Sequence, residues 1–413
     1  MFTARPKSSS SNVIVLVAII TALSLLGDSM LYIVLPVYWK EAGLDSIWQV
    51  GILLAVNRFI RLPFNPFIGW LYQKISLRTG LIIAVVLGSV TTLGYGIAKG
   101  FIAWIILRGL WGIAWSFFRI GGLSTVVYYS NDSTRGKAMG LYNGLYRTGS
   151  LFGMLLGGVL VPIVGLQYVS ILFGCLSFIG LPLVFYSLRV KSNQQAEAVQ
   201  RVNNNVSLHK ILKHKIIIII SGFLIAMLIQ GVLTSTVSAI LEHSYGEKIT
   251  LFGLVISVTF FSGLLQAVRW AWEPFLGSLF GHWSDGPSGR IPLYILSLIV
   301  SSFAFGMIAN DIPLLIWVVI MLIVMIGATS ITTLTDALAS DIAKTSNIIS
   351  FLTVYSIAQD IGAAIGPFIS YMLIEVQNGF AYLYWGGSVI FGVLAIGWTK
   401  IHLEKKQIFS RSM

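Results

Sequence analysis

Apolar residues run along this chain in blocks too long and too continuous to be the faces of a soluble fold. Stretches able to cross roughly 30 Å of hydrocarbon fall at approximately 13 to 38, 47 to 72, 80 to 98, 101 to 128, 138 to 160, 167 to 188, 216 to 241, 249 to 281, 291 to 309, 313 to 338, 348 to 375 and 380 to 400. The pattern predicts an all-α membrane protein of twelve transmembrane helices. Arg5 and Lys7 before the first block resemble the start of a signal peptide, but the block is long and lacks a small-residue cleavage site, so a retained span is expected. One polar interval is long, Arg189 to Lys215, and it divides the spans equally. The expected organisation is an N-terminal six-helix bundle over 1–188, a cytoplasmic linker over 189–215, and a C-terminal six-helix bundle over 216–413 with a short cytoplasmic tail.

Composition supports lipid as the solvent. A soluble chain would carry charge on about a quarter of its residues, whereas this one is 10% charged and 56% hydrophobic, with a mean hydropathy of +0.86. The net charge of +12 sits in short clusters between apolar blocks, which excludes a nucleic-acid footprint and reads as a topology signal. With the N-terminus inside, eighteen Lys and Arg residues, among them Lys74, Arg78, Arg135, Lys137, Arg290 and Lys344, fall in the cytoplasm, and only Lys40, Lys99 and Lys248 fall outside. The expectation is an integral protein of the plasma (inner) membrane with both termini cytoplasmic. The single cysteine, Cys175, permits no disulfide within the chain and reads as a small buried apolar residue.

The two halves repeat each other. The second span carries Arg61, then Asn65-Pro66-Phe67-Ile68-Gly69-Trp70-Leu71-Tyr72, and the eighth carries Arg269, then Glu273-Pro274-Phe275-Leu276-Gly277-Ser278-Leu279-Phe280, in gapless register. Arg147-Thr148-Gly149 with Gly153 in the fifth span matches Asp360-Ile361-Gly362 with Gly366 in the eleventh. Gly at every fourth position clears one helix face for close approach, and Pro66, Pro274 and Pro367 free backbone groups locally and permit bending. A parallel repeat of this kind occurs in transporters that bind solute between two bundles.

On these residues the chain resembles the major facilitator superfamily over nearly its whole length. The loop after span two keeps Gly69, Lys74 and Arg78 of the family signature but has Gln73 where an acid belongs and Ser76 where a Gly belongs. The second-half copy keeps Asp285, Gly289 and Arg290. Span four has Arg108 with Gly112, and Trp111 where Gln is usual; span five has Gly149, Gly153, Gly157 and Gly158; span one has Asp28 with Leu35-Pro36 following, similar to drug and metabolite exporters. The resemblance implies two pseudo-symmetric six-helix bundles, the major facilitator fold, with gating residues at Gly69, Lys74, Arg78, Asp285 and Arg290. It also implies that Arg108 is a proton-relay partner, beside the reading of a buried structural charge.

Charge within the spans comprises Asp28, Arg58, Arg61, Arg108, Arg119, Arg147, Arg269, Glu273, Asp336 and Asp360. Each costs at least about 2.5 to 3.5 kcal/mol facing lipid at the midplane, so most must face a cavity or a partner. Arg58 and Arg61 share a face of span two; Arg269 and Glu273, four apart, read first as neutralising each other; Arg119 and Asp336 lie nearer the cytoplasmic ends. The excess of arginine favours an anionic or zwitterionic solute gripped by Arg58, Arg61, Arg108, Arg147 or Arg269, with Trp111 as an aromatic wall. The competing reading is that the arginines bind backbone carbonyls and fix the bundle. Asp28, Asp360 and Glu273 are the titratable candidates for proton coupling. No phosphate loop, H-E-x-x-H or G-x-S-x-G motif is present, and the five histidines lie in loops or tails, so the expectation is no enzyme, no cofactor and no metal. The expected function is secondary active transport of a small anionic or amphipathic organic solute by alternating access, as a proton-coupled exporter and a monomer. Import of an organic anion is the alternative, and a non-transporting receptor or scaffold a distant one.

Overall fold

The computed structural model describes residues 7–130, 135–187, 208–251, 253–284, 289–343 and 348–411. Helices dominate: α1 (Lys7–Tyr38), α2 (Trp48–Leu71), α3 (Leu77–Tyr95), α4 (Phe101–Tyr129), α5 (Arg135–Val164), α6 (Leu166–Phe178), α7 (Gly180–Ser187), α8 (Leu208–Ile225), a π-helical segment (Ala226–Leu233), α9 (Thr234–Tyr245), α10 (Val258–Ser284), α11 (Arg290–Met307), α12 (Leu314–Ala343), α13 (Ile348–Ile374) and α14 (Gly379–Arg411). Taken as passes, α6 with α7 makes one and α8 through α9 makes one, which gives the twelve transmembrane helices of the expected fold. Ten passes are apolar and long enough on composition alone. The other two are α2 and α10, whose sequences are broken by Asn57, Arg58, Arg61 and Asn65 and by Gln266, Arg269 and Glu273. Charge on a span costs free energy in lipid, and these polar residues are what sets the two apart from the other ten.

One span boundary differs from the expectation. The eighth span begins at Val258 rather than near 249, because residues before it form an antiparallel hairpin, β1 (Lys248–Leu251) with β2 (Leu254–Ser257), pairing Lys248 with Ser257. Ile249, Thr250, Val255 and Ile256 are β-branched and favour extended backbone, and Gly253 takes the turn at φ +81. Residues 208–215 of the expected linker are helical, as the start of α8, while 189–207 lie outside the described residues.

Packing divides the chain into two compact units, one of Met1–Val199, Val237–Glu242 and Gly246–Ala271, the other of Gln200–Thr236, His243–Tyr245 and Trp272–Met413. Within the first, α1 lies along α5, α2 along α4, and α3 between α4 and α6. Within the second, α13 lies along α8 and the π segment, and α11 packs on α12 and α14. The internal repeat is visible inside each. A Cβ on Gly149, Gly153 or Gly157 of α5 would overlap Ala22, Leu26 or Met30 of α1, and one on Gly362 or Gly366 of α13 would overlap Phe223 or the Met227 and Gly231 backbone. The Ser89 and Ser177 hydroxyls join α3 to α6 at 2.9 Å, and the Ser302 hydroxyl donates to the Ser388 carbonyl at 2.7 Å between α11 and α14. The repeated glycines are therefore contact surfaces. Cys175 corrects the expectation of burial: it is exposed on the outer face of α6.

Candidate functional site

Asp28 leaves α1 on the side not occupied by α5. It is buried, at 6% exposure, and forms an ion pair with Arg108 of α4, which is wholly buried. Arg108 also donates Nε to the Leu53 carbonyl at 2.8 Å, and Asn57 of α2 donates Nδ2 to Asp28 Oδ1 at 3.3 Å. Gly112, one turn on from Arg108, lets the α4 backbone meet α2 at Asn57, where any Cβ would collide with the Asn57 backbone. The node thus joins α1, α2 and α4. Removing one member of such a buried pair costs about 3 to 5 kcal/mol, because the other charge is stranded. Arg108 thus faces the Asp28 carboxylate and also binds a backbone carbonyl. Its Nη2 and the Asn57 Oδ1 have no protein hydrogen-bond partner, so the node retains unspent polar capacity.

A second cluster forms where α5 crosses α10. Gly158 faces Thr259 and Gly263 faces Met154, each too close for a Cβ, and Thr259 Oγ1 donates to the Gly158 carbonyl at 3.2 Å. Two turns along this antiparallel crossing, Arg147 meets Trp270, its guanidinium carbon 5.7 Å from the ring centroid. Arg269 approaches the same ring at 5.6 Å and is buried, at 4% exposure. Two cations on one indole gain from the ring quadrupole but repel each other by roughly 1 to 2 kcal/mol at an effective dielectric of about 20. Sequence alone named both arginines, but not that they share the Trp270 ring.

The remaining candidates are placed as follows. Arg61 is buried and Arg58 half-buried on α2; Glu273 and Asp360 are half-buried on α10 and α13. Trp111 is buried on α4 and stacks on Trp115, centroids 5.7 Å apart. Arg119 is half-buried, whereas Asp336 is exposed and accepts from the Tyr355 hydroxyl at 2.7 Å and from Gln359 Nε2 at 3.0 Å. In the α2–α3 turn Lys74 lies over the Trp70 ring at 3.9 Å, and at the start of α3 Arg78 lies over the Phe185 ring at 4.6 Å. Gly69 has open space where a Cβ would sit. Arg290 donates Nε to Asp341 at 2.8 Å and Nη1 to Ser284 at 3.3 Å, tying the start of α11 to the ends of α10 and α12. Asp285 lies outside the described residues. Sequence reasoning missed Asp341, Asn57 and Gln266. A polar side chain within an otherwise apolar block was the available signal for Asn57 and Gln266.

Buried charge held by glycine-packed helices, in a chain of long apolar spans, defines a class: the polytopic α-helical membrane proteins. The model of the Major Facilitator Superfamily matches residues 17–276, and the chain belongs to that superfamily. It is an integral membrane protein of a superfamily of transporters, not of enzymes. Over 122 residues it is 30% identical to the chromaffin granule amine transporter of Homo sapiens, a match covering 29% of this chain and 23% of that protein. The synaptic vesicular amine transporter of Rattus norvegicus is 31% identical over 118 residues, 28% of this chain and 23% of that one. The chain thus spans under a quarter of the length of these relatives. Among solved structures, a bacterial homologue of the human lysosomal transporter Spinster, inward-facing and unoccupied, is similar with a TM-score of 0.73 at 16% identity, covering 95% of this chain and 97% of that one. The nucleoside transporter NupG is similar with a TM-score of 0.71 at 14% identity, covering 95% and 99%.

Proposed function

We propose that this protein is a proton-coupled secondary transporter that exports a small organic solute by alternating access, with Asp28 as the coupling carboxylate. The observation that carries the reading is the buried ion pair of Asp28 with Arg108. A guanidinium keeps its proton, so any titration of the pair falls on Asp28. Protonation there removes the partner of a fully buried cation and raises the charge of the α1–α2–α4 node by one. A packed helix contact answers such a change by moving between discrete arrangements. Export is favoured by the likeness of span one to drug and metabolite exporters, and the basic loops favour cytoplasmic termini in a plasma membrane.

The test is transport in proteoliposomes under an imposed pH gradient, with solutes taken from a screen for counterflow. Asp28→Asn should abolish pH-driven movement and leave solute exchange intact. Full pH-driven transport by that variant would remove Asp28 from the mechanism, and counterflow of no solute by the parent protein would remove transport itself.

A further inference from the structure

We propose that the β1–β2 hairpin is an interfacial anchor, whose turn end, carrying Leu254 and Val255, seats in the headgroup layer of the surrounding bilayer and holds the start of α10 at the lipid–water boundary. The proposal does not depend on the transport reading above.

The hairpin is fastened to α10 and to α5, all within the first compact unit. The Val258 amide donates to the Glu247 carbonyl at 3.0 Å, and the Phe260 amide donates to Ser257 Oγ at 3.2 Å, which caps the first turn of α10. β2 packs on α5. Ile249, paired across the strands with Ile256, is buried and turns that face inward. Side chains two apart on a strand share a face, so Leu254 continues the Ile256 side and Val255 takes the other. Leu254 is 70% exposed and Val255 65%. Large apolar side chains therefore stand exposed on both faces of the turn end, and no residue between Lys248 and Arg269 is charged.

Height in the bilayer says what covers them. The bond from Thr259 Oγ1 to the Gly158 carbonyl sets α10 and α5 level at that point. From Gly158, α5 runs on to the end of its span at Val164, a rise of about 9 Å at the helical repeat. The two helices are antiparallel, so β2 leads back from Thr259 along that last stretch of α5. Leu254 is five positions before Thr259, at most about 16 Å of extended chain. The turn end therefore stands no more than about 7 Å beyond the end of the α5 span, within a headgroup layer roughly 5 to 7 Å deep. At the same height α5 presents Ile163, 71% exposed, and Val164. Just past the Gly165 turn α6 presents the exposed Tyr168, a ring that favours the headgroup level. Leu254 and Val255 continue this apolar rim. Lys248, exposed on the Val255 face nearer the base, has a stem long enough to carry its ammonium to the same layer.

The test uses the full-length protein in a Cys175→Ser background, with Leu254→Cys or Val255→Cys labelled by the fluorophore NBD and reconstituted in phosphatidylcholine vesicles. NBD-labelled free cysteine in buffer is the water reference. Both hairpin labels should emit at shorter wavelength than the reference. Phosphatidylcholine carrying a nitroxide at the top of its acyl chain should quench them about twofold or more, and iodide, present on both sides of the vesicle, should quench them about threefold less than the reference. The two positions are labelled in separate proteins, so misfolding of one variant leaves the other to decide. Absence of nitroxide quenching overturns the anchor, whether iodide reaches the label, which puts the turn end in water, or fails to, which puts it against protein. Iodide quenching as strong as that of the free label overturns it as well.

Discussion

Gly231 of the π segment and Gly366 of α13 meet backbone to backbone: a Cβ on Gly231 would stand 2.6 Å from the Gly366 Cα. The wider π turn is held by side chains that bond back along it, with Thr234 Oγ1 donating to the Ile229 carbonyl at 2.9 Å and Ser235 Oγ to the Gly231 carbonyl at 2.8 Å. Gly149 and Gly153 perform the same service for α1 and α5. Contact of this kind supplies van der Waals attraction where lipid removes the hydrophobic drive between helices.

The first prediction follows from that contact. Gly366→Val should destabilise the protein by about 1 to 3 kcal/mol through overpacking, read as a lower thermal unfolding midpoint in detergent. Gly69→Ala should not, because nothing lies within 4 Å of the new Cβ and Ala favours helix over Gly by up to about 1 kcal/mol. Any loss of transport in Gly69→Ala would then report gating rather than folding.

Asp28 and Arg108 should behave as one unit. Each single neutral variant, Asp28→Asn or Arg108→Gln, strands a partner in the interior and should cost about 3 to 5 kcal/mol. The double variant should cost clearly less than the two together. Thermal unfolding of the four proteins checks this, and strict additivity would show that the pair is not coupled in solution.

The Arg290–Asp341 pair should matter far less for stability. Its side chains are 25% and 41% exposed, and exposed pairs contribute about 0 to 1 kcal/mol. Arg290→Gln and Asp341→Asn should lower the unfolding midpoint slightly and to the same extent, and the difference from the parent should shrink in about 1 M salt as the charges are screened.

Cys175 should be reachable from lipid. In intact membranes a bilayer-soluble maleimide should label it, and a sulfonated, impermeant maleimide should not, because α6 is a span and Cys175 is on its exposed face. Protection from both reagents would place another surface over this face of α6.

The spans and the repeat were legible because a bilayer imposes a one-dimensional rule: about twenty apolar residues per crossing, whatever the neighbours. Where that rule gave out, so did the reading. The apolar residues before Val258 satisfied hydropathy but folded as a hairpin, since β-branched residues around a glycine turn serve a strand as well as a helix. Cys175 looked buried because apolar surroundings along the sequence mean lipid as readily as protein on a helix that faces both.

By itself the sequence determined the medium, the number of crossings, the doubled architecture and which side chains carry charge in lipid, because each of these depends on local composition or on regular spacing along one helix. Only the tertiary structure decided what those charges do. Asp28 and Arg108 are separated by 80 positions, and Arg147 reaches Trp270 through a helix crossing set by close contacts at Gly158 and Gly263. Which charge meets which partner depends on how whole helices cross, and crossings are fixed by packing between segments distant in the chain, which no local pattern records.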